Sequence, residues 1–99
     1  MPMAVQQNNT QKQWVVYMLE CKDGTLYTGI TDRLQYRLTA HRAGKGAKYT
    51  KGRGPFVLRY LEDCPDHSAA LKREFAIKQL TKTEKWALCK TAPKSLEEL

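Results

Sequence analysis

Residues 15–41 read VVYMLECKDGTLYTGITDRLQYRLTAH. Two runs rich in Val, Tyr, Leu and Ile, 14–20 and 25–30, flank Lys22, Asp23 and Gly24, which is the pattern of a β-hairpin. Loop length decides what this hairpin displays. A two-residue turn at Asp23 and Gly24 would pair Glu20 with Tyr27 and send Tyr17 and Tyr27 to opposite faces, because side chains alternate along a strand. A three-residue loop with a left-handed Gly24 pairs Leu19 with Tyr27 and Tyr17 with Gly29, so that both tyrosines share a face and Gly29 leaves open space beside Tyr17. Next, Asp32 as N-cap, Gln35 at the third helical position and Gly44 as a stop predict a helix over 33–43. Arg37 and His41 stand one turn apart on it, beside the Leu34 and Leu38 stripe that should face the sheet. A cation is thereby aimed inward.

Beyond this helix, residues 44–55, GKGAKYTKGRGP, interleave Lys45, Lys48, Lys51 and Arg53 with four glycines and Tyr49. Glycine permits close backbone approach to phosphates and the cations neutralise them. The alternative is a solvated basic surface loop. Residues 56–61 suit a third strand. Asp66 then N-caps a helix running to about Gln79, whose inner stripe is Ala70, Leu71, Ile77 and the stem of Lys78 with Glu74 in its middle. An inward carboxylate must be paired, hydrogen-bonded or metal-bound, since burying it bare costs several kcal/mol. A salt bridge to Arg37 or a lysine is the bland reading of Glu74. Thr81 to Glu84 form a capping box for a last helix that buries Trp86 and Leu88 or nearby residues, and Pro93 stops it. Residues 1–13 and 93–99 read as tails around a single domain over 14–92.

The chain has 99 residues, enough for one modest core, and its 41% hydrophobic content is that of a globular protein. Seventeen Lys and Arg against ten Asp and Glu leave a net charge of +7, which favours a polyanionic partner. Cys21, Cys64 and Cys89 are odd in number and widely spaced, so no disulfide framework is expected and a cytoplasmic setting fits. Cys64 and His67 have a ligand-like gap but no second pair to complete a zinc site. No apolar run approaches a membrane span.

Taken together, Val15, Val16 and Tyr17, then Tyr27, Thr28 and Gly29, then Arg37, His41 and Glu74 resemble the GIY-YIG nuclease signature, over roughly residues 14–88. Val15 and Val16 stand where the name has Gly and Ile, and Thr28 stands for the second Ile. Both tyrosines and the second glycine are kept. The likeness is to small stand-alone bacterial members, themselves similar to the catalytic subunit of a eukaryotic structure-specific endonuclease. The resemblance implies an α+β fold, a small three-stranded antiparallel sheet flanked by helices, in agreement with the order strand, strand, helix, strand, helix, helix. It also implies a metal-dependent endonuclease that hydrolyses phosphodiester bonds in DNA and serves DNA repair or processing.

In that reading Glu74 is the metal ligand, for Mg²⁺ or Mn²⁺, and Arg37 binds the scissile phosphate. Tyr17 is the general base, helped by Tyr27 and His41, with His41 the alternative base on intrinsic pKa. Gly29, Lys45, Lys48, Lys51 and Arg53 would contact nucleic acid, DNA ahead of RNA. Two other classes stay open: a non-catalytic DNA- or RNA-binding module on the same fold, and a small protein-interaction domain in a ribosomal or repair complex. A protein partner that supplies specificity is compatible with each.

Overall fold

The computed structural model describes residues 13–92. Their element order is β1 (Val15–Glu20), β2 (Leu26–Thr31), α1 (Leu34–Arg42), β3 (Val57–Asp63), α2 (His67–Lys78) and α3 (Lys82–Cys89). The strands form one antiparallel sheet in the order β2-β1-β3, flanked by the three helices. This is the expected α+β architecture. The tails expected at 1–13 and 93–99, and Pro93 as a stop, lie outside the described residues except for Gln13.

The hairpin closes through the longer of the two loops. The Cys21 N–H donates to the Thr25 carbonyl at 2.8 Å and the Gly24 N–H to the Cys21 carbonyl at 2.9 Å. Gly24 sits at φ +85°, a conformation that a side chain would oppose. Leu19 therefore lies opposite Tyr27 and Tyr17 opposite Gly29, which puts both tyrosines on one face.

Central β1 is buried on both sides, and its alternate residues serve two different layers. Tyr17 and Leu19 pack with Leu38 of α1, Leu58 of β3 and the flanking Tyr27 and Leu34. Val16 and Met18 pack with Tyr60, Cys64 and, from α2, Ala70 and Ile77. A bulge in the β1–β3 ladder between Met18 and Leu19 leaves Arg59 out of register, and its guanidinium reaches Glu20 at 2.8 Å.

The start of α1 departs from expectation. Arg33, not Asp32, occupies the N-cap position, and no side chain caps the helix there. The Thr31 hydroxyl instead accepts from the Arg33 N–H at 3.1 Å, so the turn is closed one residue earlier in the chain. The other end is as expected. Lys45 N–H bonds the Ala40 carbonyl and Gly44 N–H the His41 carbonyl, with Gly44 at φ +80°, which is a Schellman stop.

Both later helices start on the predicted caps. The Asp66 carboxylate accepts from the Ala69 N–H at 2.8 Å, and Thr81 with Glu84 completes a reciprocal capping box. The inner stripe of α2 is narrower than predicted. Ala70 and Ile77, seven residues apart, are fully buried, whereas Leu71 is 46% exposed and Lys78 is exposed. At about 100° per residue Leu71 is rotated a quarter-turn away from that line, while Glu74 lies only about 40° off it. On α3 the core contacts come from Leu88 and Cys89, and Trp86 is half-buried rather than a core anchor. Cys21, Cys64 and Cys89 are all free thiols.

Candidate active site

Within the Tyr17 face, burial creates a polar chain. Tyr17 and His41 are 0% and 1% exposed, and the Tyr17 hydroxyl lies 2.8 Å from His41 Nε2. On the far side of the ring, Nδ1 is 2.9 Å from the hydroxyl of Thr50, which is also fully buried. That hydroxyl has one proton, and it donates it to the Ala47 carbonyl at 3.1 Å. Thr50 must therefore accept from Nδ1–H. The lone pair of the neutral ring then lies on Nε2, and Tyr17 O–H donates to it. Hydrogen positions follow from this donor count, and they run one way, from tyrosine to histidine to threonine to backbone.

Two glycines let the chain close this tightly. A Cβ on Gly29 would fall 2.7 Å from the Tyr17 hydroxyl and 2.9 Å from Tyr27 Cε2. The open space expected beside Tyr17 is thus filled by both tyrosine rings. A Cβ on Gly46 would fall 2.3 Å from His41 Nδ1. Here the loop glycine approaches an imidazole; its sequence context had suggested a phosphate. Rings continue the layer, with Tyr27 edge-on to His41 at 5.4 Å and stacked on Tyr49 at 5.8 Å.

The electrostatics follow from burial. Desolvation pushes the Tyr17 phenol up to about 12, more than the nearby Arg37 guanidinium, which hydrogen-bonds and attracts it, can offset. Desolvation also pushes His41 down to about 4, and the charge of Arg37 adds to this. Both groups are neutral at pH 7. Glu74 belongs to the same field, since its charge is among those felt at Tyr17. Arg37 itself has a buried Nε with no hydrogen-bond partner among the described residues. An N–H of that kind calls for an acceptor, and a phosphate oxygen is one.

Glu74 is held 3.1 Å from Lys78, one turn along α2. That pair is the bland alternative for this carboxylate, and its strength decides how much it matters. Lys78 is half exposed, and such helix pairs contribute about 0.3–0.5 kcal/mol. A divalent ion would displace it readily. Among the described residues no group of three or more His, Cys, Asp or Glu lies together. Any ion held here would rest on Glu74, water and substrate oxygens, an oxygen set that fits Mg²⁺.

The basic loop divides into two kinds of cation. Arg53 bonds Asp23 across to the hairpin and sits 4.4 Å above the Tyr49 ring. Lys45, Lys48 and Lys51 are exposed to solvent. Thr50 and Gly46 had no signature in the sequence, because a threonine and a glycine in a Gly- and Lys-rich loop look like ordinary turn residues.

The GIY-YIG catalytic domain, as a family pattern, matches residues 13–87, three quarters of the chain. The chain belongs to the GIY-YIG family. Several UPF0213 proteins are similar over most of their length. The UPF0213 protein DP2720 of Desulfotalea psychrophila is 49% identical over 87% of this chain and 79% of its own. The UPF0213 protein VNG_2274C of Halobacterium salinarum is 52% identical over 74% and 95%. Among solved structures, the UPF0213 protein BH0048 of Bacillus halodurans matches with a TM-score of 0.55 at 41% identity, over 86% of this chain and 90% of that one. The matched segment includes Tyr17 and Tyr27. No helix among the described residues is long and apolar enough to cross a membrane.

Proposed function

We propose that this GIY-YIG protein is a divalent-metal-dependent endonuclease that hydrolyses phosphodiester bonds in DNA, selecting substrate by structure and charge, with a role in DNA repair or processing. The observation that carries the reading is the buried hydrogen-bond chain from Tyr17 through His41 to Thr50, with Arg37 beside it.

The chain sets out a route for one proton. Tyr17, fully buried in the free protein, would take the proton of the attacking water once substrate opens its hydroxyl to the site, while passing its own to His41 Nε2, so that a phenolate is never left bare. At pH 7 a Tyr17 phenolate would cost about 7 kcal/mol, against about 4 kcal/mol for protonating His41, at 1.36 kcal/mol per pKa unit. A phosphate bound to Arg37 would lower the second figure, because the charge of Arg37 is one of the two causes holding His41 down. The two candidate bases thereby become one relay, with His41 acting through Tyr17. Arg37 would hold the phosphate in its planar fork and balance the charge that develops on it. Glu74 would hold Mg²⁺ or Mn²⁺, which supplies Lewis-acid stabilisation of the phosphate and of the leaving oxygen. Lys45, Lys48 and Lys51 would contact the backbone of DNA, while Gly29 is buried under the tyrosine rings and serves their packing.

A nuclease assay on duplex, single-stranded, flap and branched DNA, with Mg²⁺ or Mn²⁺, tests this beside Glu74→Ala. Cleavage by the wild type and its abolition in Glu74→Ala, with DNA affinity unchanged or slightly higher, is the expected result. Equal cleavage by both proteins would remove the metal role of Glu74. The Lys78 ion pair favours one other reading, a binding module in which Glu74 is purely structural. Tight binding with no cleavage by either protein would select it.

A further inference from the structure

Arg37 also lines a cleft of about 300 Å³ whose lining does not include Tyr17, His41 or Thr50. Its walls carry Trp14, Tyr36, Arg33, Asp32 and His67 as well as Arg37. We infer that this cleft is a subsite for one unstacked nucleobase adjoining the phosphate that Arg37 holds, so that the substrate must present an unpaired nucleotide there. The inference rests on the nuclease reading for the role of Arg37, and it narrows the substrate class of that same site.

Three observations support it. First, the walls are flat and aromatic. Trp14 and His67 pair their rings at 4.4 Å, and Arg33 lies 4.8 Å over the ring of Tyr36. Bases stack on such rings and on guanidinium planes whatever their identity. Second, the walls differ in rigidity. The Trp14 carbonyl accepts from the Cys64 N–H at 2.8 Å and its ring packs against the core, which makes it a fixed platform. Tyr36 is 65% exposed, so it can close over an incoming base. Third, the charges sort the two parts of a nucleotide. Arg37 lines the cleft, and its Nε–H has no hydrogen-bond partner among the described residues, while the Arg33 guanidinium on the same wall lies over the Tyr36 ring. The phosphate belongs at Arg37 and the base in the cleft. At about 300 Å³ the space is at the lower end of small-ligand pockets, which suits one base and not a stacked pair.

Fluorescence anisotropy with labelled oligodeoxynucleotides tests this, using Glu74→Ala protein in EDTA so that cleavage plays no part. Tyr36→Ala should weaken binding of a single strand and of a flap by about 5- to 100-fold, the range for loss of one stacked base, and leave a blunt duplex within about twofold. Tyr36→Phe should bind like the parent. Equal affinity of parent and Tyr36→Ala for the single strand overturns the subsite. So does an equal loss on single strand and blunt duplex, which would point to a general electrostatic or folding effect. Absence of binding to any oligonucleotide overturns it as well. If the Tyr36 dependence holds while wild-type protein with Mg²⁺ cuts nothing, the subsite stands and the nuclease reading falls.

Discussion

The two faces of β1 hold adjacent residues in equal burial and unequal chemistry. Val16 and Met18 face α2 and α3 and meet apolar neighbours, with Ala70 and Ile77 fully buried against them. Tyr17, between them in sequence, faces α1 and the basic loop, where its ring packs with Leu38 and Leu58 while its hydroxyl meets the His41 imidazole and Gly29. The apolar layer gains by removing area from water and tolerates exchange of one hydrophobe for another. The Tyr17 layer also gains from burying its leucines and rings, but it must in addition satisfy each buried donor and acceptor, which fixes its geometry atom by atom. One strand thus carries a stabilising layer and a chemical layer with a period of two.

The sharpest break between the layers is catalytic. Tyr17→Phe removes one oxygen from the relay and should cut cleavage by about 10²- to 10⁴-fold, the usual weight of a general base. Met18→Leu, one residue on and equally buried, should change cleavage less than about threefold because it keeps volume and polarity. Single-turnover rates on the same substrate compare them. Comparable losses in both would mean that the Tyr17 face is structural too.

Acid should find the chemical layer first. His41 has its folded pKa depressed from 6.5 to about 4, so between those values the unfolded chain binds a proton that the folded one refuses. Stability therefore rises with pH across that window and is lost as pH falls from 6.5 to about 4. The full effect is about 3 kcal/mol. Asp23, held below its ordinary value by hydrogen bonds from Thr25, titrates lower and contributes below the histidine window. Urea melts of wild type and His41→Gln at pH 7 and pH 4.5 isolate the histidine. The variant should lose less stability than the wild type over that interval, and parallel losses would deny His41 its buried neutral state.

Glycine packing gives a smaller and more local break. His41 is tied on both ring nitrogens, so it cannot yield to a Cβ placed 2.3 Å from Nδ1 on residue 46. Gly46→Ala should destabilise by about 1–3 kcal/mol and depress cleavage with it. A thermal melt and a cleavage rate measured on one preparation suffice. Unchanged values for both would show that the loop can move off the ring without consequence.

How much of this was legible beforehand follows the same division. Local rules found what local geometry determines: the three-residue loop with left-handed Gly24, the shared face of Tyr17 and Tyr27, the inward side of α1, and the Asp66 and Thr81 caps. Spacing puts Glu74 in the middle of the predicted stripe, and the narrower stripe of the structure leaves it half-buried just beside the Ala70–Ile77 line. Thr50 and Gly46 were not legible as partners of His41, since only the path of an aperiodic loop brings them there. Asp32 looked like a cap because its type and position allow it, but the Thr31 hydroxyl took the Arg33 amide and the helix began one residue later. Hydrophobicity alone points Leu71 and Trp86 inward, yet rotation around α2 and the docking of α3 through Leu88 and Cys89 leave one exposed and the other half-buried.

The smallest effect is also the most discriminating, because one substitution should change sign between the two layers. Thr28 stands opposite Met18 on the apolar side, is 3% exposed, and its hydroxyl has no hydrogen-bond partner among the described residues. A buried hydroxyl left unsatisfied costs about 1–3 kcal/mol, and valine keeps the β-branched shape that the strand and its neighbours fit. Thr28→Val should therefore stabilise by about 1 kcal/mol, raising Tm by roughly 4–8 °C for a domain of this size. Thr50→Val makes the same chemical change on the other side of the sheet, but that hydroxyl both donates to Ala47 and accepts from His41. It should destabilise by about 1–3 kcal/mol and slow cleavage, because the Nδ1–H of the ring is left without an acceptor. Differential scanning calorimetry of the two single variants reads both signs at once. A drop in Tm for Thr28→Val would mean that its hydroxyl is satisfied, by an internal water for example, and that the apolar layer is less dry than its side chains suggest.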